Sequence, residues 1–364
     1  MVGRQISDQD RKLFALPLRY GGLGIQNPVL TSDREFDAST AITEALTELI
    51  YLQDPDIDNL NRSKMNGAKH ALKISKEAQL KEEYQSLYRN ESIRQQRVLD
   101  MACERGSYSW LSALPLKAMG YTLNKVEFCD SICLRYGWNI KDIPRYCPCG
   151  AKNSVDHSLI CKKGGYVIYR HDVVRDTEAD FLREICKGVE TEPRLIPTKA
   201  EEMDASSNSK DQARLDIAAT GLWSPFERTF LDVRITHPNA PSNRSKTLDR
   251  LYHRNEQEKK TKYNQRVLQT EKGSFTPLVY STSGGMAPEC EKHHKRVAQL
   301  ISMKRNERYA DVMNFMRTKL RFALLKSILI SLRGVRGKKR SNEDQPISSI
   351  SFGLIPEEPF YESL

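Results

Sequence analysis

The segment CPCGAKNSVDHSLIC, residues 147–161, places three cysteines and a histidine within fifteen residues, and little else in the chain restricts folding so tightly. The spacing is Cys147-x-Cys149-x7-His157-x3-Cys161. Four soft or borderline donors are what tetrahedral Zn2+ takes in a closed structural site. Gly150 lets the chain turn around an ion. The single residue between Cys147 and Cys149 is shorter than the usual gap of about two to four. The competing reading is a reduced, buried thiol cluster with no metal. The N-terminal MVGRQISDQDRKLF lacks the apolar stretch of a secretory signal, and no run of about 18 apolar residues occurs, so an intracellular protein without a membrane partner is expected. Thiols stay reduced in that compartment, which turns the eight cysteines toward metal binding or burial. Cys129 and Cys133, four apart on one helix face, read as core residues.

Beyond the cluster the periodicity changes. YRHDVVRDTEADFLREICKGV (169–189) reads as a helix burying Val173, Val174, Phe181, Leu182 and Ile185. Three strand-like runs follow at 189–196, 213–220 and 228–236, separated by the polar link 199–212 and the turn GLWSPFE (221–227). A charged helix over 244–272, a strand over 275–282, a Gly284-Gly285 break, and helices over 288–308 and 310–333 complete the pattern. The order αβββαβ matches the core of restriction-enzyme-like nucleases, although fold alone does not fix function. The first half reads as helical: a turn at LPLRYGGLGIQNP, a helix over 31–54 capped by Thr31 or Ser32, charged helices over 63–103, and apolar helical spacing over 107–140. The expected class is therefore α+β.

Two carboxylates are embedded in this core. Asp216 is expected in the middle of the second strand and Asp232 in the third, both among Leu, Ile and Val. If adjacent strands bring them within about 4 Å, their repulsion is on the order of 4 kcal/mol at an effective dielectric of 20. A divalent cation with hard oxygen ligands, Mg2+ or Mn2+, removes that penalty and can polarise a phosphate. The structural alternative pairs each aspartate with Arg214 or Arg234. Arg234 stays protonated, so it can stabilise charge but cannot act as a base. Lys259 or Lys262, in the following helix, can supply a transferable proton, or either can be a phosphate contact. His171, Arg175 and Glu178 share a helix face by their spacing. Glu178 could complete the metal site and His171 could act as acid, base or scaffold, or the face could be an ordinary polar one.

The charge is uneven. The formal net charge is +10, yet residues 292–340 hold fifteen Lys or Arg against Glu307 and Asp311, so the rest sums to −3. A block of this kind suggests a polyanion, most simply nucleic acid, with Arg317, Lys319, Arg321, Arg336, Lys338, Lys339 and Arg340 as expected contacts, the alternative being a solvated helix face that merely looks basic. RGVRGKKR (333–340) also reads as a nuclear-import signal, the alternative being a cytoplasmic protein.

CPCGAKNSVDHSLICKKGGYVIYRHDVV resembles the Cys-Cys-His-Cys knuckle and the ensuing Arg-His helix of one group of non-LTR retrotransposons. In that group a reverse transcriptase is followed by a zinc knuckle and a restriction-like endonuclease of the PD-(D/E)xK type. The two aspartates and KTKY (260–263) fall in the same order, and LPLRYGGLGIQNP is similar to the segment just past the polymerase palm. The resemblance implies five regions: a reverse-transcriptase tail over 1–56, a helical connector over 57–140, the knuckle over 141–168, the endonuclease with basic C-terminal helices over 169–333, and a flexible tail over 334–364. It implies zinc on Cys147, Cys149, His157 and Cys161, Mg2+ on Asp216 and Asp232, and nicking of duplex DNA to expose a primer. Element RNA and a separate reverse transcriptase are further implied partners. The palm and its catalytic aspartates are absent from this sequence, so the chain is not expected to polymerise DNA by itself. It resembles a detached C-terminal half, either a gene fragment or a domesticated remnant.

Overall fold

The computed structural model describes residues 5–52, 57–197, 213–334 and 336. The chain divides into two compact units, Met1–Cys103 and Glu104–Leu364. That division falls inside the expected 57–140 connector and leaves the knuckle and the sheet in one unit.

The first unit is helical. Helix α1 (Asp8–Ala15) opens with a capping box in which Ser7 and Asp10 satisfy each other's backbone donors. The chain then doubles back through Gly22, where a Cβ would lie 1.8 Å from the Leu16 carbonyl oxygen, so only glycine fits. Helix α2 (Pro28–Leu52) starts earlier than expected. Pro28 takes the first helical position, Asn27 accepts from the Val29 N–H at 3.1 Å, and the expected caps Thr31 and Ser32 lie inside the helix, bonded back to carbonyls. Helices α3 (Ile57–Arg89) and α4 (Ile93–Cys103) follow, and α3 reaches α2 through Lys76 to Glu35 at 3.1 Å. Phe36, Ile50 and Tyr51 remain exposed on α2.

The second unit mixes helices with a four-stranded sheet. Short α5 (Ser109–Ser112), α6 (Lys125–Tyr136) and α7 (Val155–Ile160) precede the long α8 (Tyr166–Ile185). Strands β1 (Lys187–Thr191), β2 (Ile217–Thr220) and β3 (Arg228–Thr236) pair antiparallel in sequence order. Helix α9 (Leu248–Arg266), extended by a π turn over Val267–Glu271, crosses to β4 (Ser274–Ser281), which joins β3 in parallel. Helices α10 (Pro288–Arg305) and α11 (Tyr309–Arg333) complete the unit.

Strand alternation divides the sheet's two faces. Phe230, Phe275 and Tyr263 of α9 share one core, and Val279 packs on Tyr252 of α9. On the other face Tyr280 meets Glu178 of α8 and His294 of α10. Helix α11, expected as a basic surface, is instead a core helix: Met316, Leu320, Leu324, Leu325 and Ile328 are all buried. Among the described residues no helix is long and apolar enough to cross a membrane. The link 199–212 and, apart from Gly334 and Arg336, the tail 334–364 lie outside the described residues.

Candidate active site and metal centre

β2 pairs with β3 from Ile217 onward, and Asp216 sits at a bend just before it. The expectation of a mid-strand position is corrected by that bend. The Asp216 N–H donates to the Leu231 carbonyl at 3.2 Å, and its carboxylate Oδ2 accepts the Val233 N–H at 2.5 Å. The side chain thus satisfies a β3 donor with a carboxylate oxygen, which fixes the acid beside the residue next to Asp232. From α8, the His171 Nε2 lies 3.1 Å from the same Oδ2, and its Nδ1 lies 3.3 Å from Asp172. Burial works against the charged imidazole, but the hydrogen bond and charge of Asp216, backed by Asp172, push His171 up to about 9.

Asp232 is buried on β3, on the face that α9 covers, and the Lys259 ammonium lies against its Oδ2. Burial raises this carboxyl above the usual range, the Asp216 charge adds to the rise, and Lys259 and His171 oppose it. Neither arginine of the structural alternative is the partner: Arg214 bonds Glu192 at 3.2 Å and Arg234 bonds Glu258 at 2.6 Å. Of the two candidate lysines, Lys259 reaches the acid, whereas Lys262 stands 4.8 Å from the Tyr263 ring centre. Arg175, on the His171 side of α8, is held by Asp172, Asp176 and Glu192.

Glu178 does not join the pair. It is fully buried, and its oxygens take His293 Nε2 at 3.1 Å, His294 Nε2 at 2.8 Å and the Tyr280 hydroxyl at 2.6 Å. With its acceptors used there, it binds α8 to α10 and β4. Burial alone would raise its pKa, but the two histidines hold it well below the carboxylate range. Sequence reasoning missed this partnership; adjacent His293-His294 at a buried helix position was the available signal. It also missed Glu104, a half-buried acid joined to Tyr252, Ser281 and Ser283. The Gly284-Gly285 break was the clue, since a Cβ at Gly285 would lie 2.2 Å from that carboxyl.

The knuckle is a small hairpin plus a helix. Tyr146 bridges Lys152, Cys147 N–H donates to Ala151 at 2.9 Å, and Gly150 turns the chain with φ 90°. Ser154 caps α7 by accepting the His157 N–H, and Cys161 ends the helix. The ligand atoms of Cys147, Cys149, His157 and Cys161 all lie within 4.8 Å of one another. The Cys147 and Cys161 sulfurs are 3.8 Å apart, and Cys149 Sγ is 3.3 Å from His157 Nε2. A tetrahedron with Zn–S about 2.3 Å and Zn–N about 2.0 Å has S···S near 3.8 Å and S···N near 3.5 Å. A disulfide would need about 2.05 Å. The donor set could therefore hold a metal such as zinc. Burial raises the Cys147 thiol, while a backbone N–H from Ala151 lowers Cys149.

The expected basic contacts divide. Arg321 is buried and donates to the Ser107 carbonyl at 3.0 Å. Arg336 is buried too, donating to the Ser158 and Lys163 carbonyls at 2.9 and 3.0 Å. These two are corrected from phosphate ligands to internal clamps, because both guanidiniums are buried and donate to carbonyls inside the fold. Arg317 is half-buried, and Lys319 is half-buried with its ammonium 5.4 Å from the Phe181 ring. Lys338, Lys339 and Arg340 lie outside the described residues. Among the described residues of 292–340 the exposed cations are instead Lys292, Lys295, Lys304, Arg308 and Arg333, the last paired with Asp130 at 2.8 Å. Comparison with protein-family models and with curated proteins gives no match.

Proposed function

We propose that the chain is a metal-dependent endonuclease that nicks duplex DNA, derived from a non-LTR retrotransposon and built on a restriction-like αβββαβ core. The observation that carries this reading is the set of Asp216 just before β2, Asp232 on β3, Lys259 against Asp232 and His171 against Asp216. Asp232 is a buried acid whose ionised form is disfavoured by burial and by its neighbour Asp216, and carboxylates supply the hard oxygen donors that Mg2+ or Mn2+ takes. When bound, the cation would polarise the scissile phosphate and make the attacking water more acidic.

The chain's own groups have defined parts. Asp216 and Asp232 would hold the ion. Lys259 would offset charge on the phosphate and can exchange a proton, which Arg234 cannot. His171 would fix the Asp216 carboxylate. In the reaction a water oxygen bonds to phosphorus and gives up a proton to solvent as the bridging ester P–O bond breaks, and the departing oxygen takes up a proton from solvent. Duplex DNA, element RNA and a separate reverse transcriptase are the proposed partners, and a nuclear site of action follows from the DNA substrate and the 333–340 run.

One observation favours a second reading. His171 and Lys259 already balance the two carboxylates without a cation, as in a catalytically silent nucleic-acid-binding remnant. A gel-shift titration and a supercoiled-plasmid assay, each with and without Mg2+ or Mn2+, separate the two. The endonuclease gives metal-dependent open circles; the remnant binds DNA in a salt-sensitive way and cleaves nothing.

A further inference from the structure

We infer that the knuckle is a clasp on the sheet, and that Asp156 and His237 are the positioning residues linking its metal state to the ends of β3 and β4. Helix α7 has six residues, too few to be stable in isolation. Its far end is held by two buried guanidiniums: Arg170 donates to the Leu159 carbonyl at 2.9 Å and Arg336 to the Ser158 carbonyl at 2.9 Å. Its near end carries Asp156, the residue before the ligand His157. The Asp156 carboxylate lies 3.0 Å from His237 Nε2.

His237 directly follows β3 and is buried. Its other nitrogen, Nδ1, lies 2.8 Å from the Thr282 hydroxyl, directly after β4. Thr282 N–H donates to the Thr236 carbonyl at 2.9 Å, and Asn243 donates to the His237 carbonyl at 3.1 Å. One imidazole therefore connects the ends of both parallel strands to the residue beside a metal ligand. Asp232 lies on β3 upstream of this junction. A metal that orders α7 holds Asp156 where His237 can use it. By reciprocity, losing His237 must weaken metal binding by the factor through which metal tightens the strand ends.

This inference rests on zinc occupying the knuckle and not on the endonuclease reading, so a chain that fails to nick DNA leaves it intact. The test uses the full chain, with zinc affinity measured by chelator competition and amide exchange measured with and without zinc. His237→Leu and Asp156→Ala are each expected to weaken zinc binding about 10-fold, the low end for outer-shell partners, with part of the loss recovered in His237→Gln. Zinc removal from the parent is expected to speed exchange at 234–237 and 279–282, and His237→Leu should abolish that zinc dependence. Zinc affinity unchanged within about twofold in both variants would overturn the inference. So would failure of the parent to bind zinc, or zinc-dependent exchange confined to 145–165. If His237→Leu does not fold, Asp156→Ala, at a partly exposed position, and the parent's exchange map still decide.

Discussion

The Lys259 ammonium meets the Asp232 carboxylate from the helix after β3, while Arg234, two residues along the same strand, turns away to Glu258. The cation beside the buried acid is thus a lysine delivered by α9. Lys259→Ala is expected to lower nicking by about 100-fold or more, the scale of a lost proton-transferring group. Lys262→Ala should cost only a few-fold, as expected of a rim phosphate contact. Single-turnover plasmid nicking at saturating metal compares the two.

A second expectation concerns the knuckle. Purified protein should carry about one zinc per chain. Cys161→Ala should lose it, because this sulfur stands 3.8 Å from that of Cys147. Cys133→Ala, on α6 and buried outside the cluster, should keep the metal and lose only packing energy. Elemental analysis of both variants checks this.

The buried carboxylate of Glu178 makes stability sensitive to acid. Its folded pKa is depressed by His293 and His294, so its contribution is fully present above the unfolded value near about 4.3 and is lost as pH falls from there through the depressed folded value. Burial holds His293 below its usual value despite Glu178, which adds a loss as pH falls through about 6.5. His294, Tyr280 and Cys290 complete the groups around it. Glu178→Ala should cost about 3–5 kcal/mol at neutral pH, the scale for breaking a buried ionic network. The gap between parent and variant should narrow below pH about 4. Urea melts across pH give both numbers.

Arg336 and Arg321 separate structural from electrostatic cations. Arg336→Ala should lower Tm while leaving the salt slope of DNA binding unchanged, because its guanidinium serves the Ser158 and Lys163 carbonyls. Replacing exposed Lys292, Lys295 and Lys304 with Ala should reduce that slope without a comparable change in Tm. Affinities at several salt concentrations distinguish the sets.

Local chemistry was legible and long-range geometry was not. β3 appears over the expected 228–236 because β-branched and aromatic residues crowd one continuous run. The knuckle was visible because its ligands lie close in sequence and Gly150 supplies the turn. Asp216 was misplaced since a bend, and not a change in hydrophobicity, moves it ahead of β2. The partners of Glu178, Arg321 and Arg336 were not legible for one reason: a charged side chain looks the same in sequence whether it faces water or a partner far along the chain. Helix α11 shows the cost, since its Lys and Arg residues concealed a face that is mostly core.

The central claim is that Asp216 and Asp232 hold a catalytic divalent cation between β2 and β3. The most direct measurement compares Mg2+-dependent nicking of supercoiled plasmid by the parent, Asp216→Ala and Asp232→Ala, alongside their DNA affinities. The account predicts a parent that nicks and two variants that bind DNA nearly as well but leave the plasmid closed. Variants that nick at the parent's rate, or a parent inert in both Mg2+ and Mn2+, would contradict it.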